Sequence, residues 1–234
     1  MESKSATSKG LEGPAPDWVG AWMPQRHVEI VAEIEKLQEE ARQLESLGRL
    51  LWQEGGPLEE AVRDLFQSVG IEAETAPAKA AWDVTVNLDG GRRLLVVVTG
   101  TDSNVTNKSD KIRQVFEAAQ GLEETDRIVL AANVHRERPV ADREWLDPAT
   151  AEAMMIIKGL GVVFVTTAML FRMWTLSREN LQAATDSAVQ LYEASPGPFV
   201  LGRSSESADG DEEYEEEEEQ SPGLANRLVS ALKS

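Results

Sequence analysis

Five aliphatic residues in succession, Leu94-Leu95-Val96-Val97-Val98, constrain this chain more than any other feature. A strand with one face in water alternates apolar and polar residues. A strand that is apolar on both faces must be covered twice, by helices above and below its sheet. Val162-Val163-Phe164-Val165 repeats the pattern later in the chain. Just before the first run, Asp89-Gly90-Gly91 is a hairpin signal, because glycine tolerates the positive φ that a tight turn imposes. Residues 82–88 and 94–99 are therefore expected as antiparallel neighbours.

Around this pair the remaining periodicities predict further strands at 71–73, 127–133 and 161–165. Helices are predicted from Pro57 to near Gly70, over 108–120 and over 149–158. A last long helix over 167–194, interrupted near Ser177, is ended by Pro196-Gly197-Pro198. Helix, three strands, helix, strand, helix, strand, helix is the order of an α/β fold, a mixed sheet flanked by helices.

Residues 1–24 mix Ser, Lys, Gly and Pro with Trp18 and Trp22, too polar a composition to offset its ordering entropy, and are expected to form a disordered arm. Over 25–54 the pattern becomes that of a single amphipathic helix. Ile30, Ile34, Leu37, Ala41, Leu44 and Leu51 recur at heptad spacing, with Gly48 in the skipped position. Such a seam serves either a helix lying on its own domain or a two-stranded coiled coil, and self-association into a homodimer is the reading taken forward. Residues 55–200 form the α/β domain.

The chain has 41 acidic and 23 basic residues, for a formal net charge of -18, which excludes a protein that coats polyanions passively. The acidity gathers in the tail, with 10 acidic and 2 basic side chains over 204–234. Residues 201–220, including the run DGDEEYEEEEEQ, read as an acidic linker. In the segment 221–234, Leu224, Leu228, Val229 and Leu232 share one face of a short helix. A short apolar face on a flexible tether is suited to docking into a protein partner, with Trp18 and Trp22 a second, weaker pair of anchors. The absence of cysteine removes disulfides and thiolate sites, and two histidines leave little for a transition metal. The amino terminus lacks the apolar core of a secretion signal and the longest apolar stretch, 159–171, is short of the about 20 residues a membrane crossing needs. A cytoplasmic protein without membrane association is expected.

The domain resembles the restriction-endonuclease-like, or PD-(D/E)XK, nuclease family over about residues 50–176. The likeness lies in a helix opening with Leu58-Glu59, a hairpin whose first strand carries Asp83, a second strand followed by Gly100-Thr101, and a following helix with Arg113-Gln114. The resemblance implies a magnesium-dependent phosphodiester hydrolase. Its family positions here are Glu59 on the opening helix, Asp83 as first metal carboxylate, Val97 and Thr99 where a second carboxylate and a lysine stand, and Gln114. Valine cannot ligate a hard cation and threonine carries no positive charge. A degenerate member is expected, with no catalytic residues, no metal and no cofactor, working as an adaptor or regulatory scaffold for protein partners. The alternative is a magnesium nuclease, or a nucleic-acid-binding protein in DNA processing or defence, with Asp102, Lys108 or Lys111 displaced into the missing roles. Arg136, Arg138 and Arg143, after the strand 127–133, are candidate anion-binding residues.

Overall fold

The computed structural model describes Val19, residues 22–178 and residues 180–201. Trp18, the acidic run and the segment with Leu224, Leu228, Val229 and Leu232 lie outside the described residues, so the expectations placed on them are not addressed by the fold.

The chain enters through α1 (Gln25–Gly48) and a single 3-10 turn, Arg49–Leu51. Then follow α2 (Gly55–Ser68), β1 (Glu72–Thr75), β2 (Val84–Asn87) and β3 (Arg93–Gly100). The second half runs α3 (Asp110–Ala119), β4 (Asp126–Asn133), the short α4 (Val140–Arg143), α5 (Ala151–Gly159), β5 (Val163–Thr166), α6 (Thr167–Ser177), α7 (Leu181–Glu193) and β6 (Gly197–Pro198). The six strands form one mixed sheet in the order β1 to β6. β1, β2 and β3 are antiparallel, whereas β3, β4, β5 and β6 are parallel. The fold is thus α/β, as the two doubly apolar runs required. No helix among the described residues is long and apolar enough to cross a membrane.

Alternation along the central strands sorts their side chains into two cores. Leu94, Val96, Val98, Val129, Ala131, Val163 and Val165 face α2, α6 and α7, where Leu58, Leu65, Leu170 and Leu191 close the layer. Val97, Ile128, Leu130, Ala132 and Phe164 face α3 and α5, against Val115 and Ile157. Each fully buried side chain of this size stabilises the fold by roughly 1.5–3 kcal/mol.

Several boundaries differ from the sequence expectation, each for a local reason. The hairpin connection Asp89–Gly91 is a 3-10 turn with Gly90 and Gly91 both near φ +77°, which is the conformation their lack of Cβ permits. The break near Ser177 separates α6 from α7, with the Asn180 side chain accepting from the Gln182 N–H to start the second helix. Pro196-Gly197-Pro198, expected as a plain terminator, instead contributes a two-residue parallel strand at the sheet edge, where a proline's missing donor is tolerated. Leu51, expected in the heptad seam, leaves the helix in the 3-10 turn, so the seam on α1 ends at Leu44.

Candidate functional site

Asp83 precedes β2 by one residue. Its N–H donates to the Val96 carbonyl, and continuing the β2–β3 register by one step sets it opposite Val97. Directly opposed residues of an antiparallel pair point to the same face, so Asp83 shares the α3 side of the sheet with Val97 and Thr99. There α3 brings Lys111 and Gln114, three apart and hence on one helix face.

The Asp83 carboxylate is surrounded by donors. Oδ2 accepts from the Val98 N–H at 2.7 Å and from Lys111 Nζ at 3.0 Å, and Oδ1 accepts from Gln114 Nε2 at 3.0 Å. The pair is largely removed from water, with side-chain exposures of 13% for Asp83 and 26% for Lys111. Glu59, on the second turn of α2, is close enough to feel these charges. Its pKa is raised, first by burial and next by the Asp83 charge, with Lys111 opposing the rise.

Of the five positions the resemblance marks, Asp83 and Gln114 are in direct contact and Lys111 joins them from the helix, while Glu59 feels the charges of Asp83 and Lys111. The remaining two carry no ionisable group. Val97 is fully buried within the α3-facing core, and Thr99 stands half-buried at the strand end. Of the other displaced candidates, Asp102 is held by Arg136, whose Nε lies 2.5 Å from Oδ1, and Lys108 is exposed.

The donor set is a poor match for a magnesium ion. Magnesium demands near-octahedral oxygen ligation, yet the oxygens of Asp83 face an ammonium, an amide and a backbone N–H, and the residue directly opposite is aliphatic. Among the described residues no three His, Asp or Glu side chains converge to hold a metal. As arranged, these residues do not fit the ion. They form a part-buried ion pair that ties β2, β3 and α3 together.

Two of the three arginines past β4, Arg136 and Arg143, are likewise engaged within the chain. Arg143 donates from Nε to the Arg138 carbonyl at 2.8 Å, from one terminal nitrogen to Asn133 Oδ1 at 2.9 Å, and from the other to the carbonyls of Leu51 and Arg136, each at 2.8 Å. Arg136 also lies 3.4 Å from Glu54. Arg138 is exposed. Sequence reasoning missed the partner that organises this cluster, Asn133. It is 1% exposed at the end of β4 and donates to the Gln53 carbonyl at 2.8 Å. The signal was present, because an Asn closing an otherwise aliphatic strand must find hydrogen-bond partners.

The seam residues Ile30, Ile34, Leu37, Ala41 and Leu44 all stand on an exposed helix. Every described residue from Trp22 to Glu45 is exposed, and Trp22 itself is 82% exposed.

Comparison with models of protein families and with curated proteins found no match to this chain.

Proposed function

We propose that the chain is a non-catalytic member of the restriction-endonuclease-like fold that works by binding, as an adaptor or scaffold. It self-associates through α1 and joins protein partners through its terminal segments. One observation carries the loss of catalysis. The Asp83 carboxylate at the hairpin is held by Val98 N–H, Lys111 and Gln114, opposite a valine where a second metal ligand would be needed. The order of strands β1 to β4 around α2 and α3 supports the fold assignment. Self-association is supported by the exposure of a whole apolar seam, since a monomer leaving Ile30, Ile34 and Leu37 each at least 40% exposed on one helix face keeps that apolar surface in water.

A competing reading as a nuclease with a displaced lysine is favoured by the approach of Lys111 to Asp83. Incubation of the protein with plasmid, single-stranded DNA and RNA in magnesium or manganese separates the two. The expected outcome is no cleavage above that of an Asp83→Ala control. Cleavage that this substitution abolishes would establish the hydrolase instead.

A further inference from the structure

The self-association proposed above leaves the direction of the two helices open, and the geometry of α1 favours one. At 24 residues the helix is about 36 Å long. Among the described residues, the body reaches it only from Glu40 onward. Arg178 lies 3.4 Å from Glu40, a cleft lined by Glu40, Gln43, Leu44, Leu47 and Trp174 runs beneath it, and Ser46 donates to Asp64 at 3.3 Å. Residues 25–39 therefore project free, about 22 Å of helix with its midpoint at Ala32.

An antiparallel pair about a two-fold axis beside Ala32 overlaps the two free stretches fully and leaves the two bodies at opposite ends of the coil. Ile30 of one copy then meets Ile34 of the other, on both sides of the axis, and Leu37 meets His27. The flanking charges agree with this direction. In the antiparallel pairing Arg26 of each copy comes beside Glu40 of the other, giving two attractive contacts against one repulsion between the two Glu33 side chains. A parallel, in-register pair would instead bring Glu40 beside Glu45 twice, like charge against like. Neither Arg26 nor Glu40 is tightly held at home, since each has an exposed partner at 3.4 Å, Glu29 and Arg178 respectively.

We infer that two copies of the chain associate through an antiparallel coiled coil of residues 25–40, with Arg26 of each paired to Glu40 of the other.

The inference rests on the self-association reading, and a charge reversal separates the two. Glu40→Arg sets two guanidinium groups side by side in the antiparallel pair, the introduced one and that of Arg26, whereas in the parallel pair the introduced guanidinium meets Glu45. Sedimentation of the full chain over a concentration series at low salt should show the dimer of Glu40→Arg weakened on the order of tenfold in Kd. The double variant Arg26→Glu, Glu40→Arg should restore it. A tighter dimer for Glu40→Arg would overturn the antiparallel direction while leaving self-association intact. A monomer at every concentration of the unaltered chain would overturn both.

Discussion

Asp83→Ala is expected to destabilise the domain by about 2 kcal/mol, because it orphans the Val98 N–H and removes the carboxylate that pairs with the Lys111 ammonium. Val98 is 2% exposed, so its orphaned N–H has little access to water, and Lys111 loses the carboxylate that holds it at 3.0 Å. The sign of this effect matters as much as its size. A carboxylate kept for chemistry is held close to another carboxylate against mutual repulsion, and its removal commonly relieves strain and stabilises the protein. Glu59, whose proton affinity is raised first by burial and next by Asp83, would be the group relieved here. Urea unfolding followed by circular dichroism distinguishes the cases. A lower midpoint at unchanged slope identifies a structural ion pair, and a higher midpoint identifies a functional carboxylate.

Gly100→Ala is expected to cost about 3 kcal/mol, at the upper end of overpacking effects, because the clash falls on the main chain of residues 53–54. A methyl group at Gly100 would stand 2.5 Å from Glu54 Cβ, 2.9 Å from Glu54 Cα and 3.0 Å from the Gln53 carbonyl oxygen. That carbonyl is the acceptor for Asn133, and Asn133 in turn receives Arg143, which also grips the Leu51 carbonyl. Moving residues 53–54 aside to admit the methyl therefore breaks a chain of hydrogen bonds joining the turn after α1 to β4 and α4. Thermal unfolding of Gly100→Ala beside Gly121→Ala checks this. A Cβ at Gly121 meets nothing within 4 Å, so that variant is expected to stay within about 0.5 kcal/mol of the parent. Equal behaviour of the two would show that the strand end is looser than its contacts imply.

The contrast between these two sites shows what a sequence of this kind exposes and what it hides. The doubly apolar runs of β3 and β5 and the paired glycines of the hairpin follow from local rules, and so the sheet and its two covering layers were legible. The heptad seam was legible for the same reason, except at Leu51, where the chain turns out of the helix to bring its carbonyl to Arg143. The Asp83 cluster was half legible. Lys111 and Gln114 share a helix face, and Lys111 stood among the residues weighed as displaced, but their approach to Asp83 spans 28 and 31 residues and depends on how α3 lies on the sheet. The Asn133 clasp was hidden altogether, since its partner at Gln53 is a backbone carbonyl 80 residues away, where any side chain would serve.

The Asp83 carboxylate holds Lys111 and Gln114 where the resemblance would place a divalent ion. Calorimetric titration of manganese into the full chain, run in parallel with Asp83→Asn, tests it most directly. The account predicts identical, weak heats for the two proteins, arising from the acidic tail they share. A stoichiometric binding event present in the unaltered chain and absent from Asp83→Asn would contradict it.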